Sequence, residues 1–129
     1  MNKIFLSIVV PVYNEKDRVI NLTEIFKFFE SQKISFEIIV VNDGSLDRTQ
    51  PLLNNLAKTI ELKIISYRTN KGKGHAIKTG VLSALGDYII FMDIDLSTPL
   101  IEFNKFKNIL FSSDVIIGTR KVKEVLYIK

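Results

Sequence analysis

The chain has 129 residues, 47% hydrophobic and 25% charged, a balance that excludes a disordered or fibrous protein. It contains no cysteine, which removes disulfides, thiolate nucleophiles, Cys-zinc sites and iron–sulfur clusters together, and its one histidine, His75, excludes any site built from two imidazoles. The formal net charge of +4 favours anionic partners, but the lysines are scattered and no stacking-aromatic or recognition-helix pattern accompanies them, so nucleic acid is not expected.

Apolar runs then alternate with helix-period segments. Ile4–Val12 follows Lys3 in the charge-then-apolar order of a signal peptide. It lacks a small-residue cleavage site and runs directly into Asn14-Glu15-Lys16-Asp17, so it reads as a strand, with Ser7–Val12 β-branched and nearly continuous as in a strand covered on both faces. Val19, Leu22, Phe26 and Phe29 recur at three- and four-residue steps, the inner stripe of a helix. Phe36–Val41 is a second buried strand, closed by Asn42-Asp43-Gly44-Ser45. A helix is predicted from near Asp47, with Pro51 in its first turn and Leu53, Leu56 and Ile60 inward.

Leu62–Tyr67 makes the third strand, followed by a helix from about Gly74 to Leu85, and Asp87–Met92 makes the fourth. Thr98-Pro99 reads as cap and first residue of a helix whose inner stripe is Leu100, Phe103, Phe106 and Leu110. Asp114–Gly118 is a fifth strand, and a mixed tail ends at Lys129. No apolar run reaches the roughly 20 residues of a spanning helix. The alternation predicts one α/β domain over 1–129. It should be a three-layer, Rossmann-like, mostly parallel sheet with right-handed crossovers and helices on both faces.

In such a sheet, ligands bind outside the carboxyl ends of the strands near the switch in strand order. Four segments fall there: Pro11–Glu15, Asn42–Ser45, Arg68–Gly74 and Asp93–Ser97. Asp93 and Asp95, two apart after a strand, can face one side and offer hard oxygen ligands to Mg²⁺ or Mn²⁺, with substrate phosphates completing the shell. The same acids also serve simply to close a strand and cap the helix at Pro99. Asp43 could accept hydrogen bonds from a nucleobase or ribose, although Asn-Asp-Gly-Ser is also ordinary turn chemistry. Asn70-Lys71-Gly72-Lys73-Gly74 combines permissive backbone with cations but is neither a Walker loop nor a dinucleotide fingerprint, and a solvated basic turn explains it equally. His75 beside it reads as a polar helix-start residue.

Taken together, Pro11-Val12-Tyr13-Asn14-Glu15, Val41-Asn42-Asp43-Gly44-Ser45-x-Asp47-x-Thr49, Asn70-Lys71-Gly72-Lys73-Gly74-His75-Ala76, Asp93-Ile94-Asp95-Leu96-Ser97-Thr98-Pro99 and Gly118-Thr119-Arg120 form an ordered set. This set resembles the nucleotide-sugar-binding half of family-two inverting glycosyltransferases of the GT-A fold, and most of all the dolichyl- or polyprenyl-phosphate glucose and mannose synthases. The resemblance runs from about Ser7 to Arg120. It implies that Pro11, Tyr13 and Glu15 line the base pocket, that Asp43 holds the uracil or guanine edge, and that the Arg68–Lys73 region flanks base and ribose. It further implies that Asp93 and Asp95 hold Mg²⁺ or Mn²⁺ on the diphosphate, with Asp93 also near the ribose. Ser97, where relatives often carry Gln, would lie near the metal, and Arg120 would face a donor or acceptor phosphate.

The implied activity is inverting transfer of a hexose from a UDP- or GDP-sugar to an acceptor, a polyprenyl or dolichyl phosphate being expected. A cytoplasmic location, peripheral at the membrane face, goes with it. Family members usually continue well past Gly118-Thr119-Arg120, so the chain is expected to be truncated at its acceptor side. An exposed sheet edge would then invite a homo-oligomer or partner subunit. A non-catalytic nucleotide-sugar-binding module or subunit is the alternative. A phospho-acceptor receiver domain shares the plan, but it would need an acidic cluster after strand 1 and an Asp after strand 3. Those strands end in Asn14-Glu15 and Tyr67-Arg68-Thr69.

Overall fold

The computed structural model describes residues 3–107 together with the strands at 115–118 and 125–128. The chain divides into two compact units, Met1–Thr98 and Pro99–Lys129.

In the first unit, strands β1 (Leu6–Val12), β2 (Phe36–Asp43), β3 (Lys63–Tyr67) and β4 (Tyr88–Phe91) form one parallel sheet in the order β3-β2-β1-β4. The helices between them are α1 (Asn21–Ser31), α2 (Thr49–Leu56) and α3 (Lys73–Ser83). The register is continuous, with Val9 opposite both Ile39 and Phe91. Right-handed crossovers place α1 and α2 on one face and α3, which carries the chain from one edge strand to the other, on the opposite face. The central strands are accordingly sealed: Ile8, Val9 and Val10 of β1 and Ile39, Val40 and Val41 of β2 are fully buried. Each such aliphatic side chain contributes about 1.5–3 kcal/mol by leaving water.

The order reverses between β1 and β4, so the crevice beyond their carboxyl ends is the ligand position that open sheets use. On the α3 face, Ala76 joins Val9, Ile39 and Val41 in one buried cluster. At the far end of the sheet, the buried Ser7 hydroxyl donates to Glu37 Oε2 at 2.6 Å and accepts from the Gly86 amide at 2.8 Å. Glu37 Oε2 also accepts from the Leu85 amide at 2.7 Å, tying the α3–β4 turn to β1 and β2.

The predicted elements are found, with local corrections. The inner face of α1 is Leu22, Ile25 and Phe29; Phe26 is only half-buried, its ring 5.5 Å from that of Phe36. In α2 Leu53 is the fully buried member of the predicted stripe; Leu56 is half-buried, and the helix ends there, before Ile60. Strand β2 continues through Asn42 to Asp43, beyond the predicted end at Val41.

In the second unit, Pro99 (ψ 137°) precedes a 3-10 turn, Leu100–Glu102, instead of opening a helix, and α4 (Phe103–Lys107) follows. Phe103 is the buried member of the predicted stripe, and Leu110 lies outside the described residues. Strand β5 (Val115–Gly118) pairs antiparallel with β6 (Val125–Ile128). The expected fifth strand is therefore found in a two-stranded sheet, and the tail read as mixed holds its partner.

Candidate functional site

A cleft of about 510 Å³ opens at the switch point, within the roughly 300–1,000 Å³ usual for small-molecule sites. The β1 exit supplies Pro11, Val12, Tyr13 and Glu15, and the β2 exit supplies Asp43. The β3–α3 connection supplies Asn70 and Gly72, α3 supplies Lys73 and Ala76, and the β4 exit supplies Asp93, Ile94 and Asp95.

The acid pair comes from one turn. Ile94, 2% exposed, points inward, and its carbonyl accepts from Asn21 Nδ2 at 2.9 Å; the acids on either side of it both line the cleft. Asp95 Oδ1 accepts the Ser97 amide at 2.9 Å, and Leu96 between them takes a left-handed φ of 56°. Such a conformation costs a non-glycine residue about 1–2 kcal/mol and is concentrated at functional turns. Across the cleft, Lys73 Nζ lies 2.6 Å from Asp93 Oδ1, with 57% and 41% of the two side chains exposed. A pair that open is worth about 0–1 kcal/mol, so it exchanges readily for other partners.

Chemically, the donor set is oxygen only. Among the described residues no group of three or more His, Cys, Asp and Glu is arranged to hold a metal. Asp93 and Asp95 therefore fit a hard cation of the Mg²⁺ or Mn²⁺ type held by one or two carboxylates, its remaining positions filled by water and phosphate oxygens.

The β2 exit joins the neighbouring loops. Asn14 (φ 51°) donates its amide to Ser45 Oγ at 2.9 Å and accepts the Leu46 amide at 2.8 Å. The Glu15 amide donates to Thr49 Oγ1 at 2.9 Å and the Lys16 amide to Asp47 Oδ2 at 3.3 Å. On the other side, Asp43, 3% exposed, accepts from Asn70 Nδ2 (2.9 Å), the Lys71 amide (2.8 Å) and the Gly72 amide (3.0 Å).

Two titrations follow from these contacts. Burial acts most strongly on Asp47 and raises its pKa, but hydrogen bonds from the Thr49 hydroxyl and amide and the Lys16 amide, with the Lys16 charge, outweigh it and hold the group below its ordinary 3.8. The Tyr67 hydroxyl is buried without a well-formed hydrogen bond; burial first, and then the adjacent Asp43 carboxylate, push its pKa up, keeping it neutral.

Of the residues singled out in the sequence, Pro11, Tyr13, Glu15, Asp43, Lys73, Asp93 and Asp95 meet at this cleft. Arg68 is exposed and not among its lining residues, and Ser97, also outside the lining, donates its amide to Asp95 Oδ1. Arg120 lies outside the described residues. His75 is exposed in the first turn of α3, its ring 5.5 Å from Tyr67, and is not part of the lining. The Asn70 side chain as a partner of Asp43, and Ala76 as a wall, are additions; only the Asn70–Ala76 block hinted at them.

Similarity to known proteins is consistent with this geometry. Over 119 residues the chain is 33% identical to a dolichyl-phosphate beta-glucosyltransferase of Dictyostelium discoideum, covering 85% of this chain and 36% of that protein. Over 121 residues it is 36% identical to a dolichol-phosphate mannosyltransferase of Pyrococcus furiosus, covering 92% of this chain and 34% of that one. The chain thus spans about a third of the length of these curated relatives. Among solved structures, the mannosyltransferase PcManGT from Pyrobaculum calidifontis, in complex with GDP-Man and Mn²⁺, superposes with a TM-score of 0.61 at 25% identity, covering 74% of this chain and 28% of that one. The α/β sheet is that of the GT-A glycosyltransferases. The family model for glycosyl transferase family 2 matches residues 7–124, and the chain belongs to that family.

Proposed function

We propose that the cleft binds the nucleoside-diphosphate-sugar donor, a UDP- or GDP-hexose, for inverting hexosyl transfer to a polyprenyl or dolichyl phosphate at the cytoplasmic membrane face. One observation carries the reading: Asp93, Asp95 and Lys73 converge on a single cleft at the switch point of a family 2 sheet. The relatives' names, dolichyl-phosphate glucosyl- and dolichol-phosphate mannosyltransferase, support the acceptor class.

In the reaction, an acceptor oxygen attacks the anomeric carbon from the face opposite the diphosphate. The carbon–oxygen bond to the diphosphate breaks, and the leaving nucleoside diphosphate takes the electron pair. A phosphate acceptor is already anionic and needs no general base. Asp93 and Asp95 would hold Mg²⁺ or Mn²⁺, which when bound supplies Lewis-acid stabilisation to the leaving diphosphate. Lys73, released from its weak pair with Asp93, would place its ammonium against the diphosphate oxygens and stabilise the same developing charge. Pro11, Val12 and Ala76 line the same cleft and would give a bound donor an apolar wall.

Calorimetry with UDP- and GDP-sugars, with and without Mg²⁺ or Mn²⁺, tests this. Donor binding should be metal-dependent, and Asp95→Ala should remove the metal-dependent part of the affinity, about tenfold or more. Metal-dependent binding that persists unchanged after replacing both Asp93 and Asp95 by Ala would defeat the assignment. Donor binding without any transfer to polyprenyl phosphate would favour a binding module over an enzyme.

A further inference from the structure

Lys73 stands where a helix disfavours a cation. It is the first residue of α3, at the end that the unpaired amides make positive, and the first turn of α3 holds no acid. A lysine at that position calls for an anion. The anion that answers it is Asp93, from the exit of β4: the ammonium lies 2.6 Å from Oδ1, and the Asp93 carboxylate has no other partner among the described residues.

The same carboxylate is one of the two that fit a divalent cation. An ammonium and a metal ion cannot both sit against one carboxylate without strong mutual repulsion. Among the described residues lining the cleft, Lys73 is the one cation, so no second basic group relieves it at Asp93. An ion pair this exposed separates easily, but the ammonium then needs another anion at the start of α3. A diphosphate is such an anion, because a helix N-terminus and a lysine together favour phosphate oxygens.

We propose that Lys73 is an internal cation that holds Asp93 against free metal and yields it when metal and diphosphate arrive together, so that the two enter the cleft as coupled ligands. The proposal rests on the reading of the cleft as the donor site. It gives Lys73 a role before the reaction, in addition to stabilising charge on the leaving diphosphate. Without phosphate the lysine opposes the metal; with phosphate it has moved to the diphosphate oxygens and no longer does. Coupling of this kind is reciprocal, so each ligand tightens the other by the same factor. Removing the ammonium should therefore help the metal when nucleotide is absent, and a residue that only binds phosphate would have no such effect.

Free Mn²⁺ read by electron paramagnetic resonance tests this on the whole chain, alone and with UDP or GDP. Lys73→Met keeps an unbranched apolar stem and removes the charge. Without nucleotide, this variant should bind Mn²⁺ about fivefold more tightly than the parent. The factor by which nucleotide tightens Mn²⁺ should shrink by a similar amount. Lys78→Met, an exposed change on the same helix and outside the cleft lining, should alter neither quantity, which separates the pair from net charge. By NMR, the side-chain nitrogen resonance of Lys73 should move as Mg²⁺ binds, and Asp93→Asn should move it in the same direction without metal. A Lys73→Met chain that binds Mn²⁺ no tighter than the parent, while nucleotide still promotes Mn²⁺ binding in the parent, overturns the proposal and leaves the donor site standing. A Lys73 resonance that ignores Asp93→Asn also overturns it. If nucleotide adds nothing to Mn²⁺ binding in either chain, the donor-site reading fails and the proposal falls with it. Should Lys73→Met not fold, Lys73→Gln takes its place with the same expectations.

Discussion

Gly80 sits where α3 crosses the two central strands, and it marks how closely a helix is packed on the sheet. A Cβ at this position would lie 2.4 Å from Val9 Cγ1 and 3.2 Å from Val41 Cγ2, both on fully buried side chains. Two effects oppose each other in Gly80→Ala. Helix propensity favours alanine by about 1 kcal/mol. Overpacking a sealed core costs about 1–3 kcal/mol, and Val9, which would have to give way, is fully buried. Overpacking should win, so Gly80→Ala is expected to lower the thermal midpoint by several degrees. The double change Val9→Ala with Gly80→Ala, which restores room at the crossing, should recover part of the loss. A single variant as stable as the parent would mean that α3 stands off the sheet further than described.

At the scale of elements, the exit of β2 organises the site because its short polar residues bond to both neighbouring loops. Ser45, Asp47 and Thr49 receive the amides of Asn14, Glu15 and Lys16, and Asp43 receives the loop before α3. Asp47 is the titratable link on the first side. Its folded pKa is below 3.8, so its contribution is complete above that ordinary value and disappears as pH falls through the folded value. The difference in urea midpoint between the parent and Asp47→Asn should therefore be constant near neutrality and shrink below about pH 4. A difference that persists undiminished to pH 2 would show that the link does not depend on the Asp47 charge.

These bonds also explain what could be seen in the sequence. Strand and helix order was legible because β-branched runs such as Ile38–Val41 and helical stripes such as Leu22 and Phe29 are properties of single segments. The four loops of the cleft were legible from the rule that ligands gather at strand exits. The partners within those loops were not. Asp43 meets Asn70 across 27 positions, and Glu15 meets Thr49 across 34, which no local period encodes. The swap of Phe26 for Ile25 on the inner face of α1 has a similar cause: both satisfy the helical spacing, and only the packing of the helix on the sheet separates them.

For the whole molecule, net charge and local charge point in opposite directions. The chain carries +4, which by itself predicts affinity for anions. The cleft does not share that sign. Its lining holds four carboxylates, Glu15, Asp43, Asp93 and Asp95, against one ammonium, that of Lys73. Unit charges about 8 Å apart interact by about 2 kcal/mol at an effective dielectric of about 20, before salt reduces the figure. A diphosphate entering this cleft without a cation meets net repulsion, and the distant lysines are largely screened. A divalent cation held by Asp93 and Asp95 would reverse the balance. The dependence of affinity on phosphate number should therefore change sign with metal. In EDTA, uridine or guanosine should bind at least as tightly as the corresponding diphosphate. With Mn²⁺ the diphosphate should bind tighter, by about tenfold or more. Titration calorimetry over nucleoside, monophosphate and diphosphate under both conditions reads this directly. A diphosphate that outbinds its nucleoside in EDTA would show that the lysines, and not a cation held by Asp93 and Asp95, govern recognition of the donor phosphates.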